Sequence, residues 1–86
     1  MKIRLYKCGG EGLITDYENK LLEVGIELIP SEKTDDYGDP VHYVEVDTIE
    51  DLFKIIKATT FDLVIEKAYS WNDYEPVLRI YDGYLE

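Results

Sequence analysis

The spacing of apolar residues in the middle of the chain constrains its fold most. Ile49, Leu52, Phe53 and Ile56 recur at i, i+3, i+4 and i+7, which predicts an amphipathic helix with one apolar stripe. Asp47 or Thr48 is placed to cap it. Asp47 and Glu50 have the spacing of a capping box, with Asp standing where Ser or Thr is usual. Glu50 and Asp51 fall in the first turn, where acids suit the helix dipole. Most of the stability of such a helix comes from packing its stripe on another element. The strand patterns elsewhere in the chain supply that element as a sheet.

Residues Lys2 to Cys8 alternate, with Ile3 and Leu5 on one side and Arg4 and Tyr6 on the other, the period-2 signature of a half-buried strand. A glycine-rich break follows. A first helix is then expected, capped by Thr15 or Asp16, with Tyr17, Leu21 and Val24 on one face and Gly25 as its C′ residue. Residues 26–29 read as a second strand stopped by Pro30, and residues 31–40 as a polar, turn-rich connection. Residues 41–46 give a third strand, residues 61–66 a fourth and residues 77–81 a fifth, stopped by Asp82 and Gly83. The expected fold class is α+β: a single domain over residues 1–86, ordered β-α-β-β-α-β-β, with a mostly antiparallel sheet and two helices on one face. The other face is then left to water. It is expected to carry Arg4, Tyr6, Glu27, Tyr43, Glu45, Asp62, Glu66, Arg79 and Tyr81.

Charge narrows the partners. Nineteen Asp plus Glu stand against nine Lys plus Arg in 86 residues, a formal charge of −10. That sign argues against direct binding to nucleic acid or to an anionic membrane through a basic surface. No apolar run approaches the length of a membrane-spanning helix, and the start MKIRLYKC has no apolar core of a signal peptide, so the chain reads as mature and cytoplasmic. Cys8 has no second cysteine to pair with, in keeping with a reducing compartment. The aromatic content of 13% is too high for a disordered acidic tail.

The parts for catalysis are missing. With His42 and Cys8 as the single His and Cys, and no Ser in a G-x-S-x-G setting, neither nucleophile–base arrangement has a full set of members. His42 reads as structural or exposed and Cys8 as a small filler. Gly9, Gly10 and Gly12 precede a helix but lack the Lys-Ser/Thr of a phosphate loop, and Glu11 would repel phosphate. Asp35, Asp36 and Asp39 fail the EF-hand pattern, since Pro40 and Val46 stand where Gly and Glu are required. The sequence therefore points to no enzyme, no cofactor and no metal.

Acids interleaved with aromatics are the distinctive feature. Asp35, Asp36, Tyr37 and Asp39 form one cluster, Tyr43 and Glu45 lie near it, and Trp71, Asp73, Tyr74 and Glu75 form a second. Trp and Tyr often anchor interfaces, and surrounding acids steer a basic partner. These ten residues are the expected partner-binding set. Of the nineteen acids, eight fall within residues 27–50: Glu27, Glu32, Asp35, Asp36, Asp39, Glu45, Asp47 and Glu50.

With MKIRLYKC at the start, DTIEDLFKIIKA in the middle and VLRIYDGYLE at the end, the chain resembles short open reading frames of phages and mobile elements. In size and charge it is similar to acidic anti-CRISPR proteins. The resemblance implies a non-catalytic nucleic-acid mimic that occupies a basic nucleic-acid-binding surface of a CRISPR effector or nuclease. The alternative is a small structural or assembly protein of a phage or mobile element, for which a homodimer is expected.

Overall fold

The computed structural model describes residues 1–8, 12–35, 37–59, 62–67 and 76–81. Strand β1 (Lys2–Cys8) leads through a single 3-10 turn (Ile14–Tyr17) into helix α1 (Glu18–Glu23). Strands β2 (Ile29–Thr34) and β3 (Pro40–Glu45) follow, then helix α2 (Ile49–Thr59), β4 (Asp62–Lys67) and β5 (Pro76–Tyr81). The five strands form one sheet in the order β2-β3-β1-β5-β4. Three of the four pairings are antiparallel, and β1 with β5 is parallel. This is the α+β architecture that the alternation of strand and helix patterns predicts.

The core lies between the sheet and both helices. Ile3 and Leu5 of β1, Val44 of β3, and Leu78 and Ile80 of β5 meet Leu21 of α1 and Ile55 and Ala58 of α2. Ile26 and Leu28, in the link between α1 and β2, join the cluster, as do Ile14 and Val46. Helix α1 ends in a Schellman motif. The Ile26 N–H donates to the Leu21 carbonyl at 2.9 Å and the Gly25 N–H to the Leu22 carbonyl at 3.0 Å, with Gly25 at φ +84°. Ile26 and Leu21, the residues such a cap brings together, are both buried in the core.

The second strand lies later than its apolar pattern suggested. Residues 26–28 are irregular, Glu27 is outside the sheet, and β2 occupies Ile29–Thr34, in the stretch expected to be loop. Pro30 sits inside β2 instead of stopping it. An edge strand tolerates proline because one side of its backbone needs no ladder partner, and β2 is one of the two edge strands of this sheet, β4 being the other. The pairing with β3 is irregular between Pro30 and Thr34. There the Ser31 hydroxyl donates to the Val41 carbonyl at 2.7 Å, serving in place of a backbone bond.

Helix starts also differ in detail. Asp16 is not the cap of the first helical segment but its third residue, and its carboxylate accepts the Leu13 N–H at 3.0 Å. In α2 the box is shifted by one residue. Asp51 accepts the N–H groups of Asp47 at 2.9 Å and Thr48 at 3.2 Å, and the Thr48 hydroxyl accepts the Asp51 N–H at 3.4 Å. Thr48 and Asp51 are thus the reciprocal pair, since a hydroxyl at this position can serve the third amide of the helix while the carboxylate reaches back.

The apolar stripe of α2 does not enter the core whole. Ile55 and Ala58 are buried and Leu52 packs against the cluster, whereas Ile49, Phe53 and Ile56 are 68%, 61% and 37% exposed. The helix carries more apolar surface than the sheet can cover.

Candidate functional site

The β2–β3 connection is a closed turn built on one carboxylate. Asp35 Oδ1 accepts the N–H groups of Tyr37 and Asp39, both at 2.9 Å. The Asp35 N–H donates to the Asp39 carbonyl at 2.9 Å and the Gly38 N–H to the Asp35 carbonyl at 3.0 Å. Gly38 takes φ +82°, a left-handed conformation that favours glycine at this corner. Asp35 and Asp39 are half-buried, so the turn is stapled from beneath, and Tyr37 projects from its tip at 85% exposure.

Beneath the turn, the end of β1 and the Gly12–Thr15 segment enclose a pocket of about 230 Å3. Asp35, Asp39, His42, Tyr6, Arg4 and Lys7 contribute to its walls. Lys7 is 8% exposed. The His42 Nδ1 lies 3.2 Å from the Pro40 carbonyl. Two acids, Asp35 and Asp39, and two basic residues, Arg4 and Lys7, therefore line one pocket. Among the described residues, no group of three His, Cys, Asp or Glu side chains is gathered as a metal centre would need.

The second face of the sheet is only partly left to water. Val41, Tyr43 and Val77 on that face are buried. The Tyr6 ring lies 5.9 Å from the Arg4 guanidinium and 5.5 Å from that of Arg79, and the Tyr43 ring has the Lys2 ammonium 5.6 Å away. Long basic side chains can lay apolar stems along such a surface while their heads contact the aromatic faces. This face was expected to be simply solvated. Burial pushes the Tyr6 phenol above its ordinary range, and the nearby Asp35 carboxylate adds to the shift.

The residues expected to bind a partner are distributed as follows. Asp35, Tyr37 and Asp39 share the β2–β3 turn, with the Asp35 carboxylate holding it, Asp39 bonded to Asp35 through its backbone, and Tyr37 exposed at its tip. Tyr43 is 9% exposed, held within the sheet face. Glu45 is exposed at the other end of β3, and its Oε1 lies 2.7 Å from the amino group of Met1, which also contacts Asp47. Asp36, Trp71, Asp73, Tyr74 and Glu75 lie outside the described residues, as do the glycine-rich stretch 9–11 and the Asp82-Gly83 stop.

Sequence reasoning did not assign Lys7, Tyr6, Arg4 or His42 to this site. Arg4 and Tyr6 were legible as facing away from the helices, but their approach to Asp35 depends on how the β2–β3 turn folds back. No family model, curated protein or solved structure matches the chain. Among the described residues, no helix is long and apolar enough to cross a membrane.

Proposed function

We propose that the protein is a non-catalytic acidic binding protein that sets its β2–β3 end against a basic protein surface. The target class is the nucleic-acid-binding groove of a nuclease or CRISPR effector, where carboxylates stand in for backbone phosphates. The observation that carries this reading is the stapled turn, with Asp35 holding its own backbone and Tyr37 exposed at the tip. A pre-ordered turn loses less conformational freedom on binding than a mobile loop. An exposed tyrosine is a common interface anchor. The formal charge of −10 speeds encounter with a basic partner and makes the complex sensitive to salt.

DNA cleavage by a panel of CRISPR effectors, with and without the purified protein, tests the proposal. The reading expects cleavage by a susceptible effector to be blocked, and Tyr37→Ala to need roughly 30-fold more protein for the same block, as loss of an interface hot spot would. Unchanged cleavage across the panel, together with unchanged phage escape in cells expressing the protein, would overturn it. A second reading, a self-assembling structural protein of a phage or mobile element, is favoured by a different surface, the exposed stripe of α2.

A further inference from the structure

We propose that α2 is the docking surface for a second copy of this chain, the two helices pairing antiparallel across a two-fold axis near Phe53. Ile49, Phe53 and Ile56 are exposed at i, i+4 and i+7 and form one ridge along a helix about 16 Å long. The ridge borders the core side of α2 on one flank. On the other flank stand Glu50 and Lys57, both exposed.

The charge pattern selects the occupant. In an antiparallel helix pair each flank meets the same flank of the other helix. Residues equidistant from the axis, on opposite sides of it, are then opposed. The midpoint of Glu50 and Lys57 falls between Phe53 and Lys54, within one residue of the centre of the apolar ridge. An axis between Phe53 and Lys54 therefore places Glu50 against the second copy's Lys57, and Lys57 against its Glu50, with the two Phe53 side chains one residue apart along the pair. One placement satisfies both the apolar ridge and two symmetric ion pairs. The other cation of α2 is engaged within its own helix: the Lys54 Nζ lies 3.9 Å from Asp51 Oδ1. Antiparallel helices also set their dipoles in opposition, which favours the pair. An anionic bilayer is a poorer occupant for the same ridge, because a chain of net charge −10 is repelled from it.

A single short helix per copy covers less than the roughly 1,600 Å2 of a standard interface, so the dimer is one that dissociates on dilution. The proposal concerns α2 alone and is independent of how the β2–β3 turn is used. Light-scattering mass across a concentration series, in about 0.15 M salt, is the test. Wild type is expected to approach twice the chain mass as concentration rises, and Phe53→Glu to remain at the chain mass with an unchanged circular dichroism spectrum. Glu50→Lys and Lys57→Glu are each expected to weaken association about tenfold, and the double variant E50K/K57E to restore it. A wild type that stays monomeric at about 1 mM overturns the proposal, since an interface that weak has no specific function. Dimers that survive Phe53→Glu overturn it too, and failure of the double variant to restore association overturns the antiparallel register.

Discussion

Asp35 and Asp39 are bonded to each other in both directions: the Asp35 N–H donates to the Asp39 carbonyl, and the Asp39 N–H donates to the Asp35 carboxylate, each at 2.9 Å. The acidic turn is thus ordered by one of its own acids. Asp35→Ala removes two side-chain hydrogen bonds, each contributing about 1 kcal/mol. Hydrogen exchange should quicken at the amides of Tyr37 and Asp39 while the core amides of β1 and β5 keep their protection. Unchanged exchange at both turn amides would show that the carboxylate does not hold the turn.

Gly25 closes α1 in a left-handed conformation, with nothing within 4 Å of an added Cβ. The cost of Gly25→Ala is therefore backbone strain without a clash, about 1 kcal/mol. For a domain of this size that lowers the melting temperature by roughly 4–8 °C. A thermal melt followed by circular dichroism measures it.

Leu21 and Leu22 are neighbours with opposite environments, Leu21 fully buried in the core and Leu22 exposed. Leu21→Ala should destabilise the fold by about 2–5 kcal/mol, a cost set by lost burial and the cavity left behind. Leu22→Ala should stay within about 0.5 kcal/mol. Urea unfolding of the two variants side by side gives the comparison, and similar losses would contradict the placement of α1.

Backbone hydrogen bonds from Asp47 and Thr48, with a smaller contribution from Lys54, hold the Asp51 carboxyl below its ordinary range. Because its folded-state affinity for a proton is depressed, its contribution to stability is complete above the ordinary carboxylate range and is lost as pH falls through and below it. Asp51→Asn should therefore be less stable than wild type at neutral pH, with the difference narrowing in acid. Urea midpoints measured between neutral and acidic pH test the sign.

The sequence made the two-layer architecture legible because period-2 and period-3.6 patterns report directly on buried faces. Ile3, Leu5 and Leu21 lie where such patterns place a core, whereas of the α2 stripe Ile49, Leu52, Phe53 and Ile56 only Leu52 packs on it and the buried positions are Ile55 and Ala58. The edge strand was hidden for a physical reason. β2 buries little on either face, so Pro30, Glu32 and Lys33 give it the composition of a loop, while its pairing comes from β3. The stripe of α2 was read correctly as a helix but not as two surfaces, since spacing alone does not tell how much of a stripe the sheet covers. In the candidate site, Asp35, Tyr37 and Asp39 were visible as an acidic aromatic turn. The approach of Tyr6, Lys7 and His42 to them was not, because it depends on strands distant in sequence.

The central claim is that the acidic β2–β3 end binds a basic protein surface, and its most direct test is a binding isotherm against a susceptible CRISPR effector across a salt series. Wild type should bind in competition with DNA and weaken steadily as salt rises, while the triple variant Asp35→Asn, Asp36→Asn, Asp39→Asn should bind at least tenfold more weakly and with a shallower salt dependence. Equal affinity and equal salt dependence for wild type and the triple variant would contradict the account.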